Sequence, residues 1–118
     1  MSVGPVTLYG LKNCDTCKKA LKALEAHDRE TAFVDIREEA DLERLVPAWL
    51  TAVGAEKLVN KRSTTWRTLS EVDKADALGT GAKDVLIANP TLIKRPVIDT
   101  GADILVGWDN GAQQALRA

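Results

Sequence analysis

The only two cysteines of this chain stand in Cys14-Asp15-Thr16-Cys17, directly after an apolar stretch, and that placement constrains the fold more than any other feature. Val6-Thr7-Leu8-Tyr9 has the composition of a short strand, and Gly10 to Asn13 that of a turn. From Asp15 to about His27 the residues favour a helix, built on Lys18, Lys19, Ala20, Leu21, Lys22, Ala23, Leu24, Glu25 and Ala26. Thr31-Ala32-Phe33-Val34-Asp35-Ile36, β-branched and aromatic in partial alternation, predicts a second strand. Strand, helix and strand within about thirty residues make a βαβ unit, whose strands run parallel.

Both cysteines then fall in the first turn of the helix, one of them at its start. Unpaired N–H groups and the positive end of the helix dipole favour thiolate over thiol there, and the thiolate is the nucleophile. A spacing of three puts Cys17 on the same helix face as Cys14, within reach of a mixed disulfide formed at Cys14. This layout points to redox chemistry. Competing readings are weaker. A zinc or iron–sulfur site needs about four ligands, and the chain offers two cysteines and one distant histidine, His27, so a metal would need a second chain. Two buried structural cysteines are a plain alternative. A structural disulfide closing so short a loop would restrict the unfolded chain very little. A phosphatase-like anion loop from Cys14 would want arginine six positions on, where Ala20 stands.

At 118 residues the chain is expected to be one domain, with a core that needs no disulfide staples. Its 16 basic and 17 acidic residues are well mixed and leave a formal charge of -1, which predicts neither a nucleic-acid nor a membrane-surface partner. No apolar run has signal-peptide or membrane-spanning length. The expectation is a cytoplasmic monomer, in a compartment where a C-x-x-C is kept reduced and acts catalytically or as a sensor.

Asp41 opens a stripe at helical spacing, Leu42, Leu45, Val46, Trp49, Leu50 and Val53, which Gly54 closes. Trp49 belongs to the core on this reading. Pro47 either kinks that helix or marks its true first turn. Leu58 to Arg67 is polar and basic, and Thr64 or Thr65 is placed to cap a short helix through about Glu71. Val72 to Gly81 is mixed, with a turn at Gly79-Thr80-Gly81. Ala82 to Ala88 predicts a short helix ending near Asn89-Pro90. Leu92 to Ile98 leads into a third strand, which Gly101-Ala102 turns into Ile104-Leu105-Val106 as a hairpin. Asp109 or Asn110 would cap a last helix through Leu116.

A thiol motif at the first strand-to-helix junction, with a β-hairpin and helix closing the chain, resembles a thioredoxin-type fold. That implies an α/β architecture, a small mixed sheet flanked by helices, with a helical insert. Three passages narrow the resemblance: Val6 to Ala20 around the cysteines, Asn60-Lys61-Arg62-Ser63-Thr64-Thr65-Trp66-Arg67, and Ile93-Lys94-Arg95-Pro96-Val97-Ile98. Together, in order and register, they resemble the arsenate reductase (ArsC)-like family, and within it the YffB-type branch, which shares the Thr-Thr-Trp-Arg segment.

The resemblance implies a nucleophile at Cys14 and an arginine preceding a cis-proline at Arg95-Pro96. Beside the thiolate, Arg95 would lower its pKa and offer a planar fork to an oxyanion or carboxylate. True arsenate reductases of the family use three arginines around the oxyanion. Here the position of the first is Asn60, with Arg62 two residues on. That of the third falls near Gly107, the nearest later arginine being Arg117. Arsenate is therefore the less expected substrate. The resemblance favours glutathione as co-substrate, with no bound cofactor and with glutaredoxin as a further partner. Its carboxylates would pair with Lys12, Arg62, Arg67 or Arg95. Cys17, in the resolving position, also matches the Spx-type regulators of the superfamily, which carry C-x-x-C as a switch and bind RNA polymerase. Trp66 either stacks on substrate or packs half-exposed. His27 reads as a surface residue, Lys18 and Lys19 as solvated, and Trp108 as packing.

Overall fold

A computed structural model of the protein describes residues 5–26, 30–109 and Gln113. They divide into two compact units, the first containing residues up to Ala40 and from Arg95 onward, the second Asp41–Lys94.

The first unit is built on strand β1 (Val6–Gly10), helix α1 (Asp15–Ala26) and strand β2 (Thr31–Asp35), followed at the far end of the chain by β3 (Val97–Asp99) and β4 (Ile104–Val106). The strand order is β2-β1-β3-β4. β1 and β2 are parallel, as the βαβ spacing requires, and β3 runs antiparallel to both β1 and β4. This is the expected thioredoxin-like arrangement; β1, β2 and β4 keep within a residue of their expected limits, whereas β3 begins only at Val97, at the end of the stretch Leu92 to Ile98.

One face of this sheet and one stripe of α1 form a core. Cys17, Ala20 and Leu24, at helical spacing, are buried, while Lys18, Lys19, Lys22 and Glu25 are exposed. Beneath them lie Val6, Leu8 and Ile98, with Cys14, Leu21, Phe33, Leu105 and Trp108 packed around the margin. Burial of an aliphatic side chain such as Leu8 or Ile98 contributes roughly 2 kcal/mol each. Trp108 thus packs, as its position suggested. His27 and most of the last expected helix lie outside the described residues, as does Arg117; within that stretch, the Gln113 N–H donates to the Asp109 carbonyl at 3.0 Å.

The second unit is helical. α2 (Leu42–Val53) buries Leu42, Leu45, Val46 and Trp49, the stripe read from the sequence, and ends on Gly54. Gly54 has φ +84°, and its N–H donates to the Leu50 carbonyl at 2.9 Å. Pro47 lies inside the helix and not in its first turn. Its carbonyl accepts from the Thr51 hydroxyl at 3.0 Å. A one-turn helix, α3 (Ala55–Leu58), follows where no helix was expected.

The capping expectation needs correction by one residue. Ser63, and neither Thr64 nor Thr65, caps α4 (Thr64–Thr68), its hydroxyl accepting from the Trp66 N–H at 3.1 Å. That helix ends before Glu71, because Ser70 caps a separate helix, α5 (Glu71–Ala77), by accepting from the Asp73 N–H at 3.1 Å. Two serines, each three residues before the amide it satisfies, divide what the sequence presents as one polar run. α6 (Ala82–Ala88) forms as expected, and a single 3-10 turn at Pro90–Leu92 leads to the Val59–Ile93 bridge.

Candidate active site

Cys14 occupies the N-cap position of α1. Its N–H donates to the Leu11 carbonyl at 3.2 Å, and its own carbonyl accepts the Lys18 N–H at 3.0 Å, the first bond of the helix. The Cys14 sulfur accepts a hydrogen bond from the Cys17 N–H, in the place a serine or aspartate oxygen takes in an ordinary cap. It also accepts from the Cys17 thiol and from the Arg95 side chain. Burial raises the Cys14 pKa and is the largest single influence. The donors from Cys17 and Arg95, with the positive charge of Arg95, together outweigh it and hold the thiol below its ordinary value of 9.0.

Cys17 is shifted the other way. Burial pushes its thiol up to about 12, against the downward pull of the Leu11 N–H and the Arg95 charge; its bond to the Cys14 sulfur and the negative charge there add to the rise. The side chain is 1% exposed. Its seat exists because residue 10 is glycine: a Cβ on Gly10 would lie 2.5 Å from the Cys17 Sγ and 3.3 Å from its Cβ. Gly10 ends β1 and is a residue the sequence reading passed over as part of the turn. The available signal was a glycine in the last strand position before the thiol loop, where close approach by a side chain is a common reason for glycine.

Arg95 is half-buried, Pro96 is buried, and the bond between them is cis. The Pro96 carbonyl accepts from the Gly107 N–H at 2.8 Å. Lys12 is exposed in the loop between β1 and α1, and Lys18 and Lys19 are exposed on the helix, as expected for solvated lysines. Among the described residues no three His, Cys, Asp or Glu side chains gather in a way that could hold a metal ion.

A helix-capping thiol followed by a second cysteine, with an arginine before a cis-proline, is supplied by two of the three passages that carry the family resemblance, and residues 9–116 match the model of the ArsC family. The chain belongs to the ArsC family. An uncharacterized protein of Haemophilus influenzae is 49% identical over 114 residues, covering 96% of this chain and 99% of its own. The solved structure of a YffB protein superposes with a TM-score of 0.83 at 38% identity, over 96% of this chain and 99% of that one. An arsenate reductase (ArsC) related protein from Brucella melitensis gives 0.76 at 33% identity, over 98% of this chain and 96% of that one. Similarity extends to the global transcriptional regulator Spx of Lactiplantibacillus plantarum, 27% identical over 88% of this chain and 80% of that one. The ArsC-family relatives thus include both reductase-related proteins and regulators.

The remaining residues singled out from the sequence belong to the second unit of this ArsC-family chain. Asn60 is held by both ends: its N–H donates to the Leu92 carbonyl at 2.8 Å and its side-chain oxygen accepts from the Arg62 N–H at 3.0 Å. The Arg62 and Arg67 side chains are exposed. Trp66 is half-buried, with the Lys74 ammonium 5.7 Å from its ring centroid. Gly107, in the first unit, near which the resemblance places the family's third arginine, is buried with φ +82°, a conformation in which any side chain is strained.

Proposed function

We propose that this ArsC-family chain is a cytoplasmic thiol–disulfide oxidoreductase that reduces disulfides with glutathione through the Cys14 thiolate. The observation that carries the reading is the Cys14 sulfur at the start of α1, bonded by the Cys17 N–H, the Cys17 thiol and Arg95. A sulfur with three donors and a cation beside it is stabilised as the anion, the form that attacks disulfides.

In the first step the Cys14 thiolate attacks the glutathione sulfur of a mixed disulfide, forming a Cys14–glutathione disulfide, and the other sulfur leaves as a thiolate that takes a proton from water. In the second, a free glutathione thiolate attacks the glutathione sulfur of that intermediate and releases Cys14, yielding oxidised glutathione. The net reaction converts one mixed disulfide and one glutathione into one free thiol and one oxidised glutathione. The burial of Cys17 and its pKa of about 12 favour glutathione over Cys17 as the resolving thiol. On this reading Cys17 acts chiefly as a donor to the Cys14 thiolate. Arg95 stabilises that thiolate and orients an anionic group of the substrate, with Pro96 alongside it. Lys12, in the loop before Cys14, is proposed to bind the glutathione moiety, and glutaredoxin to compete for the same mixed disulfide.

Arsenate reduction by an altered anion site ranks below this reading, because the resemblance puts the family's first arginine at Asn60 and its third near Gly107, where no arginine stands. A regulatory role is favoured by one specific observation: the two thiols are already hydrogen-bonded to each other, so oxidation would close them into a Cys14–Cys17 switch. The deciding experiment is glutathione-dependent turnover of a small mixed disulfide by the wild type and by Cys14→Ser. Turnover that disappears in the variant supports the reductase. None from the folded, reduced wild type refutes it and turns the question to arsenate and to capture of RNA polymerase.

A further inference from the structure

A row of side chains crosses the sheet beneath α1. Phe33 pairs with Leu8, Leu8 with Ile98 and Ile98 with Leu105, so the row touches all four strands. A single helix covers the middle of that row completely: Leu8 and Ile98 are 0% exposed. It does not reach the edge, where Phe33 on β2 is only half-buried. Between Phe33 and the helix lies a groove of about 310 Å³, lined by Leu11, Lys12, Cys17, Lys18, Leu21 and Phe33.

Three properties of the groove bear on what it holds. Its lining is almost wholly apolar, so the lysines contribute their methylene stems to the wall and carry their ammonium groups at the rim. Both lysines are exposed and, among the described residues, neither is ion-paired. The wall also includes Cys17, whose thiol is hydrogen-bonded to Cys14, so a group seated here lies one side chain away from the proposed nucleophile. The volume is at the small end of the roughly 300–1,000 Å³ of ordinary ligand pockets and suits a body of one or two rings.

We propose that this groove binds the apolar, anionic half of the disulfide that Cys14 reduces: a thiol with an aromatic or branched alkyl body and a carboxylate. The body lies against Leu11, Leu21 and Phe33, and the carboxylate meets Lys18. This substrate class rests on the reductase reading. The substrate is a mixed disulfide of glutathione with that thiol. Attack by Cys14 on the glutathione sulfur forms the Cys14–glutathione disulfide and releases the apolar thiolate. A second glutathione restores Cys14 and leaves as oxidised glutathione.

The test separates the groove from the reaction by using a probe without sulfur. Naphthalene-2-carboxylate is titrated into reduced wild type and into Cys14→Ser, with backbone amide shifts followed by NMR. Saturable shifts at Leu11, Lys12, Lys18, Leu21 and Phe33 are expected in both proteins. Lys18→Glu, on an exposed helix position that does not threaten folding, should weaken binding about fivefold at low salt, which corresponds to roughly 1 kcal/mol. No saturable shift at these residues, or equal affinity for neutral 2-naphthylmethanol, overturns the groove. For the substrate assignment, the ratio of kcat/KM for a glutathione–arylcarboxylate disulfide over its carboxamide analogue should fall in Lys18→Glu. An unchanged ratio overturns that assignment. If the wild type turns over neither disulfide, the reductase reading fails, and the titration still decides whether the groove is a site.

Discussion

At the open end of α1, Cys14 caps the helix with a half-exposed sulfur that accepts three hydrogen bonds. Three residues further on, on the face turned to the sheet, Cys17 is 1% exposed and lies against Gly10. The residue type is the same and the spacing is fixed, yet one thiol is held below its ordinary value of 9.0 and the other is pushed up to about 12. The difference is made by position alone. At the cap, backbone and side-chain donors converge on a sulfur and exceed the cost of burying it. In the core, burial dominates and the anionic neighbour adds to it. A C-x-x-C motif thus need not be two equivalent thiols; here it is one thiol held low and the donor that helps to hold it there.

Substitutions can break or sharpen this contrast, beginning with the largest effect. Cys14→Ser should reduce disulfide turnover to background, since a hydroxyl at this position is not ionised near neutrality; steady-state kinetics with a mixed disulfide checks it. Arg95→Ala removes a donor and a positive charge together. A nearby opposite charge is worth about 1–3 pKa units, so the alkylation rate of Cys14 at pH 7 should fall by about tenfold or more. Raising the pH should recover that loss, because the thiolate then forms without help. Gly10→Ala places a methyl group against the Cys17 sulfur. It should destabilise the fold by about 1–3 kcal/mol in denaturant melts and shift the pH profile of Cys14 alkylation upward, whereas a purely structural defect would leave that profile in place.

Cys17→Ala is expected to have the smallest effect on activity. It removes the thiol donor but keeps the backbone N–H, so the Cys14 pKa should rise modestly and glutathione-dependent turnover should persist. Accumulation of an unresolved Cys14 mixed disulfide in the presence of glutathione would instead make Cys17 the resolving thiol. The same variant has a signature in stability. Because the folded-state pKa of Cys17 lies above its unfolded value, the unfolded chain loses this proton first. The contribution of Cys17 is therefore fully present below pH 9 and is lost as pH rises from 9.0 to about 12. Cys17→Ala should lack that component of the alkaline decline, which denaturant midpoints across the range would reveal.

Much of this was legible in the residues. The βαβ opening followed from hydrophobic pattern and length, and the mixed sheet from the hairpin signals around Gly101. The α2 stripe from Leu42 to Val53 was equally plain, because side chains at helical spacing must share a face. The Ser63 and Ser70 caps were not, since a polar run rich in serine and threonine offers several residues able to accept from an amide, and tertiary packing selects among them. The pairing of Cys14 with Cys17 and Arg95 was expected in outline. The inequality of the thiols was not, because it depends on how deeply Cys17 sinks beside Gly10, a close approach that no spacing rule encodes. The groove beside Phe33 was hidden for a related reason: alternation places Phe33 on the α1 face of the sheet but does not say that one helix is too narrow to cover the edge.

The most direct test of the central claim is the pH dependence of iodoacetamide alkylation of the reduced wild type, with the modified cysteine located by mass spectrometry. The account predicts that Cys14 reacts first and that its rate rises with a midpoint below 9.0, while Cys17 stays unmodified through that range. A midpoint at or above 9.0, or labelling of Cys17 ahead of Cys14, would contradict it.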